Sequence, residues 1–268
     1  MNIEVVFEDQ DILIINKPAG LVMNRADSVK VLTLQDWLEK KLEKETINDW
    51  RELVPADFSE EFGTAEEIFK QRQGLAHRLD KDTSGVIVAA KNPGSLVNLL
   101  AQFRQREISK RYTCLTHGKF RVPKGTIRAP LGRDRTNRQK FTISSGGRPS
   151  ITEYEVIDYH ADLNEQGQEK LKKFKKNLLS YQGFSLVNCW PKTGRTHQIR
   201  VHMKHWQHPL VGDTKYVGKK RAKLDREWCP RQFLHASSIE FTHPRTNEKV
   251  NFEVELADDL KQALNFLS

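Results

Sequence analysis

The stretch GLAHRLDKDTSGVIVAAK, Gly74 to Lys91, sets a run of charge directly against a β-branched segment, and the rest of the chain is read outward from it. VIVAAK has the composition of a short buried strand. DTSG, just before it, is turn chemistry: Asp, Thr and Ser side chains accept hydrogen bonds from nearby amides, and glycine tolerates the reversal. Arg78, Asp80, Lys81, Asp82 and His77 are therefore expected at the leading end of a strand, where functional side chains are commonly held on a rigid edge. Positive charge beside Asp80 favours its ionised form, which suits a nucleophile or an electrostatic stabiliser better than a general acid. Asp82, Thr83 and Ser84 are expected to shape the turn.

On the N-terminal side, IEVVFEDQDILIINKPAG reads as two strands, Ile3 to Glu8 and Ile12 to Asn16, closed by Pro18 and Gly20. Leu34, Trp37, Leu38 and Leu42 recur at helical spacing, which predicts a helix over 32–44. Residues 45–73 carry Asp57, Glu60, Glu61, Glu66 and Glu67 without a clear period, as expected of an irregular, solvated insertion. On the C-terminal side, Leu96, Leu99, Leu100 and Phe103 mark a helix and KRYTCLTHG a strand. Further strands are expected near 152–159, 184–190, 237–241 and 250–256, with a last helix near 258–267. Many strands with occasional helices indicate an α+β protein built on a largely antiparallel mixed sheet.

The chain has 268 residues, enough for one large domain with two lobes. Its net charge of +9 favours a polyanionic partner, since each Lys or Arg near a phosphate releases a counterion. The first apolar run, Ile12 to Ile15, is too short and too closely flanked by acids for a signal peptide or a membrane span. A cytoplasmic protein is expected by default, with no membrane partner, and a monomer because no exposed apolar stripe is evident. Three widely spaced cysteines, Cys114, Cys189 and Cys229, suggest buried thiols rather than a disulfide framework.

A second polar block, KTGRTHQIRVHM, Lys192 to Met203, is expected to continue from Gly194 as a helix, with Arg195, Gln198 or Ile199, and His202 on one face and Thr196 and Arg200 on another. His197, His202, His205 and His208 lack a carboxylate or cysteine at a usual ligand spacing, so no metal is expected and phosphate contacts or core hydrogen bonds fit them better. Neither GxxxxGK[ST] nor GxGxxG is present, so no nucleotide cofactor is expected. NEQGQEKLKKFKKNLLSYQG, Asn164 to Gly183, puts Leu171, Phe174, Leu178 and Leu179 on one helical face with five lysines around the rest. It reads first as a packed helix with a solvated face, and second as a basic helix that touches RNA.

NKPAG, HRLDKDTSG with VIVAAK, KRY, NRQK, GRTHQIRVHM with HPLVGDTKY, and LHA with THP occur in one order over residues 5–256. In that order they resemble the RluA-type pseudouridine synthases. The resemblance implies the pseudouridine synthase fold with a central active-site cleft. It also implies a cofactor-free enzyme that isomerises uridines of transfer or ribosomal RNA, replacing the N1–C1′ bond by a C5–C1′ bond. It further implies that Asp80 is the catalytic aspartate, that Tyr112 packs on the target base and that Arg200 pairs with the aspartate. Arg78 would guard the space left by the flipped nucleotide, and His77, Thr83, Arg195, His197 and Gln198 would join the substrate contacts. Uracil must leave its stack for this chemistry, which an aromatic wall and an arginine assist.

Many members carry an S4-like RNA-binding domain before the catalytic block. Here the block starts within a few residues of Met1, so RNA recognition is expected from the catalytic domain and from insertions near 45–73 and 160–183. A scaffold that binds RNA without catalysis would be favoured by loss of Asp80, Tyr112 or Arg200, and all three are present. A glycoside hydrolase would need two cooperating carboxylates, for which Asp82 is a poor second.

Overall fold

The structure is a computed structural model that describes residues 3–27, 29–43, 49–177 and 181–268. In chain order the elements are β1 (Glu4–Glu8), β2 (Ile12–Lys17), α1 (Leu34–Leu42), α2 (Ala65–Arg72), β3 (Ser84–Ala90), α3 (Pro93–Gln105), β4 (Ser109–His117), β5 (Lys124–Arg128) and β6 (Leu131–Arg133). They continue with β7 (Phe141–Ile143), β8 (Ile151–His160), α4 (Glu165–Leu171), β9 (Phe184–Pro191), α5 (Gln198–His205), α6 (Lys219–Asp225), β10 (Leu234–Thr242), β11 (Lys249–Glu253) and α7 (Asp258–Leu264). The architecture is α+β, with mostly antiparallel pairing. The chain divides into two compact units, Met1–Lys110 with Ala236–Glu255, and Arg111–His235 with Leu256–Ser268.

In the first unit β2 pairs antiparallel with both β1 and β3, in the register Ile12↔Ala90 to Lys17↔Gly85 on the β3 side. Ile12 to Ile15 and Ile87 to Ala89 are fully buried. Both strands are therefore covered on both faces, which explains why their sequences run apolar without alternation. β10 and β11 form a further antiparallel pair from Ser238↔Glu253 to Thr242↔Lys249. α3 starts where the Asn92 side chain accepts from the Ser95 amide at 2.8 Å, with Pro93 in its first turn.

The acidic stretch expected to be irregular holds two 3-10 turns, Arg51–Leu53 and Glu60–Phe62, and the helix α2. Thr64 caps α2: its hydroxyl accepts from the Glu67 amide at 3.2 Å while Glu67 Oε2 accepts from the Thr64 amide at 2.9 Å. Trp50, Leu53 and Ala65 pack with Val97 of α3 in a small core of their own. A Cβ on Gly94 would meet the Trp50 carbonyl oxygen at 2.1 Å, so this segment is seated directly on α3.

In the second unit β4, β9, β8 and β5 pair antiparallel in that order, and β6 with β7 forms a separate hairpin. One face of the sheet is covered by α4, α6 and α7 through Leu171, Leu224, Leu260 and Phe184. The other face packs on α5 through Ile199, Met203, Cys114 and Val187. Asn164 to Gly183 departs from the single long helix expected: α4 ends at Leu171 and a kinked 3-10 turn, Lys172–Asn177, follows. Leu171 and Phe174 do face the core as expected. Leu178 and Leu179 lie outside the described residues, as do the side chains of Lys175 and Lys176.

Candidate active site

The charged stretch from Gly74 to Gly85 is held at both ends by glycine. Gly74 has φ +77° and Gly85 φ +116°, and a Cβ would meet the Ala90 carbonyl oxygen or the Ala236 carbonyl oxygen at 2.2 Å in either case. Any side chain at these two positions collides with backbone, so glycine is a steric requirement there. Between them the Thr83 amide donates to the Asp80 carbonyl at 3.1 Å, closing the expected turn into β3. Asp80 is half-buried at the strand edge, while Arg78, Lys81 and Asp82 are exposed. Thr83 is 1% exposed, which puts its side chain in the packing of the motif rather than on its open side.

The NKPAG segment clamps this loop. Lys17 is fully buried, and its ammonium donates to the carbonyls of Pro18 at 2.8 Å, Leu21 at 3.0 Å and Lys81 at 3.0 Å. Gly20 N–H donates to the same Lys81 carbonyl at 2.9 Å. A buried ammonium persists only when its donors are satisfied, and here one of its acceptors is the carbonyl of Lys81, the residue that follows Asp80. Lys17 is a positioning residue that the sequence reading did not single out.

His77 holds the other side of the loop. Its Nε2 accepts from the Val88 amide of β3 at 3.0 Å, and its ring packs on Phe103 with centroids 4.9 Å apart. Burial, with the Lys110 charge nearby, pushes the imidazole down to about 3, in agreement with an Nε2 that must stay unprotonated to accept. Lys110 itself is pushed down to about 8 by burial. Expected at the substrate, His77 is instead neutral and engaged by its own strand.

The second unit carries the other candidates. Tyr112 is half-buried on β4, opposite Cys189, and packs on the core beneath α5. Helix α5 starts at Gln198 rather than Arg195, because His197 sits at φ +57° and the Gln198 amide turns back to the Arg195 carbonyl at 3.1 Å. Arg195 and Thr196 therefore lie in the loop, off the helix faces expected for them. Gln198 is 4% exposed and spends its whole amide inside the unit: Oε1 accepts from Thr193 Oγ1 and the Arg195 amide, and Nε2 donates to the Ile151 carbonyl and Thr152 Oγ1. Its role is to fasten the loop; no donor or acceptor remains for a substrate contact.

Arg200, 4% exposed, is gripped by Asp213 through a two-pronged pair, Nε to Oδ2 at 2.7 Å and Nη2 to Oδ1 at 2.8 Å, with the Tyr216 ring 5.1 Å from the guanidinium carbon. Asp213 in turn accepts from the Lys215 amide at 3.1 Å. Tyr216 Oη lies 2.8 Å from His197 Nδ1 and accepts from the Phe141 amide at 3.0 Å. Asp213 and Tyr216 thus fix Arg200 and His197 from behind. Arg195 is half-buried, and its Nε is a buried donor with no partner among the described residues.

His202 donates from Nε2 to the Ala129 carbonyl at 3.1 Å and accepts at Nδ1 from Thr152 Oγ1 at 2.9 Å, and burial lowers its pKa. His208 stacks on Phe120 with centroids 3.8 Å apart. These are core roles, one of the two expected for these histidines. Among the described residues the group with metal-like spacing is Asp9, Asp11 and His243. Those atoms are already paired, His243 Nε2 with Asp9 at 2.9 Å and Asp11 with Arg245 at 2.6 Å.

A family model for RNA pseudouridylate synthase matches residues 11–205. An uncharacterised RNA pseudouridine synthase of Bacillus subtilis is 34% identical over 267 residues, covering all of this chain and 73% of the relative. A protein of Pseudomonas aeruginosa named ribosomal large subunit pseudouridine synthase D is 33% identical, covering all of this chain and 72% of the relative. The solved structure of human RNA pseudouridylate synthase domain containing 1 superposes with a TM-score of 0.64 at 26% identity, over 95% of this chain and 83% of that one. Among the described residues no helix is long and apolar enough to cross a membrane. With the motif blocks, the fold and these matches in agreement, the chain belongs to the RluA-type RNA pseudouridine synthase family and is an RNA pseudouridine synthase, an isomerase.

Proposed function

We propose that the protein converts uridines of large-subunit ribosomal RNA to pseudouridine, with Asp80 as the catalytic carboxylate. The observation that carries this reading is the clamped loop: a half-buried aspartate on a strand edge, pinned by Lys17, His77 and two obligatory glycines, beside an exposed Arg78. Such rigidity places a carboxylate to within the tolerance that catalysis requires. The ribosomal target is taken from the names of the Pseudomonas, Neisseria and Zymomonas relatives.

In this reading Asp80 acts at C1′ or C2′ of the ribose as the N1–C1′ bond breaks. The uracil turns, C5 bonds to C1′, the C5 proton leaves and N1 gains a proton. Every atom and electron is conserved apart from that proton exchange, so the reaction needs no cofactor. Tyr112 packs on the base and assists loss of the C5 proton. Arg200, held at Nε and Nη2 by Asp213, is by the family resemblance the arginine that pairs with the catalytic aspartate, and such a cation favours the ionised carboxylate. Arg78 occupies the place of the flipped nucleotide. Arg195, whose Nε is a buried donor with no partner among the described residues, contacts the substrate, since an unmet buried donor costs about 1–3 kcal/mol until something accepts from it. His197, held at Nδ1 by Tyr216 Oη, joins the substrate contacts. The enzyme works as a cytoplasmic monomer.

RNA labelled with tritium at uridine C5 tests this, because each turnover releases the label to water. Large-subunit ribosomal RNA should release tritium and Asp80→Asn should abolish the release while RNA affinity stays within a few-fold. Release from transfer RNA alone would refute the ribosomal assignment, and an active Asp80→Asn would refute the catalytic one.

A further inference from the structure

Helix α6, KKRAKLD, belongs to none of the motif blocks and carries four cations in its first five positions. Lys219, Lys220 and Lys223 are exposed and Arg221 is half-buried. Among the described residues none of the four is paired with a carboxylate. By contrast, Lys173 is balanced by Glu227 at 2.8 Å and Lys172 by Glu169. Like charges at this spacing repel, and the helix tolerates them because Ala222, Leu224 and Asp225 anchor it to the core. The 3-10 turn after α4 lies alongside: the half-buried Phe174 ring is bracketed by Lys223 and Lys173, each 5.3 Å from its centroid.

The anchor leads to the site. Asp225, fully buried, accepts from Tyr181 Oη at 2.6 Å and from the Gly212 amide at 2.8 Å, and sits 3.2 Å from His117 Nε2. Gly212 immediately precedes Asp213, the partner of Arg200. One short chain of contacts therefore fixes the basic helix in register with the catalytic block of the same unit.

We infer that α6 is a platform that binds the phosphate backbone of the RNA substrate away from the modified nucleotide. This extends the reading of the chain as an enzyme on RNA. Unpaired cations held on a rigid anchor suit a polyphosphate strand, whose binding releases counterions and relieves the repulsion within the helix. The register to Arg200 gives the platform a use: RNA docked there is oriented before its uridine enters the site.

The test is the affinity of a labelled oligouridine over a potassium chloride series. Replacing Lys219, Lys220, Arg221 and Lys223 together by Gln should lower the slope of log affinity against log salt by about 3, from about 0.7 per lost phosphate contact on a single strand. A control with Lys30, Lys40, Lys70 and Arg72 of the first unit changed to Gln removes the same charge and should leave most of the slope. An unchanged slope in the α6 variant, or an equal loss in the control, overturns the platform. If the fourfold variant melts early, Lys219→Gln with Lys220→Gln should still lower the slope by about 1.4. Asp80→Asn, run in parallel, should keep the slope and lose tritium release; if it keeps release, the catalytic reading fails while the slopes still decide the platform.

Discussion

Replacing Lys17 by Met keeps most of the aliphatic stem and deletes the ammonium that holds the loop after Asp80. Three hydrogen bonds from a charged donor are lost, and the penalty for burying that charge is recovered, so the net cost is set by the acceptors left behind. The Lys81 carbonyl keeps its bond from Gly20 N–H, whereas those of Pro18 and Leu21 lose the Lys17 donor. Pro18 is exposed, so water can replace the donor at its carbonyl, and the buried Leu21 carbonyl is the acceptor left unmet; at about 1–3 kcal/mol for it, the variant should be destabilised by about 2 kcal/mol. For a chain of this size that lowers the melting temperature by about 4–8 °C. The kinetic effect should exceed the unfolded fraction, since a shift of about 1 Å at Asp80 costs on the order of 100-fold in turnover. Thermal melts followed by circular dichroism and tritium release from ribosomal RNA at 25 °C measure the two effects. A melting temperature within about 2 °C of the parent, below the shift worked above, with undiminished turnover, would refute the claim that this cradle positions the catalytic loop.

Two further outcomes are expected. His77 has a folded pKa of about 3 against an ordinary 6.5, so between these values the unfolded chain binds a proton that the folded chain does not. Stability should therefore fall as pH drops below 6.5, by up to about 1.4 kcal/mol per unit, and His77→Gln should flatten that part of a urea-midpoint profile; an identical profile would contradict the assignment. Asp213→Asn should reduce turnover sharply and destabilise the second unit by about 3–5 kcal/mol, because it leaves the buried Arg200 charge poorly compensated. Comparable stability and turnover in that variant would dismiss the pair as a positioning device.

The strands β2, β3, β4, β8 and β9 were legible because β-branched runs bounded by Gly, Pro or polar turns have few other readings. The motif order singled out Asp80, Tyr112 and Arg200 as the candidates for catalysis. Helix α6 was not legible, since Ala222 and Leu224 are too little apolar pattern to outweigh its charge. α2 did carry a signal, the Thr64–Glu67 capping pattern, hidden in an acidic stretch that suggested solvent. Lys17 and Gln198 were harder. Their roles depend on acceptors far away in the chain, Lys81 for one and Ile151 and Thr152 for the other, and no local pattern records that a polar side chain will find all its partners inside the fold.

Cys114 and Cys189 lie on neighbouring strands with sulfurs 3.7 Å apart, and Cys229 is buried near Asp225. Burial keeps Cys189 protonated far above neutral pH and pushes Cys229 up to about 12. Thiolates are the species that alkylate, and all three thiols are buried, so the folded protein is expected to react slowly with maleimides. A single cysteine introduced on an exposed position such as Lys219 would then take a fluorophore or an RNA crosslinker selectively, with no need to remove the natural ones.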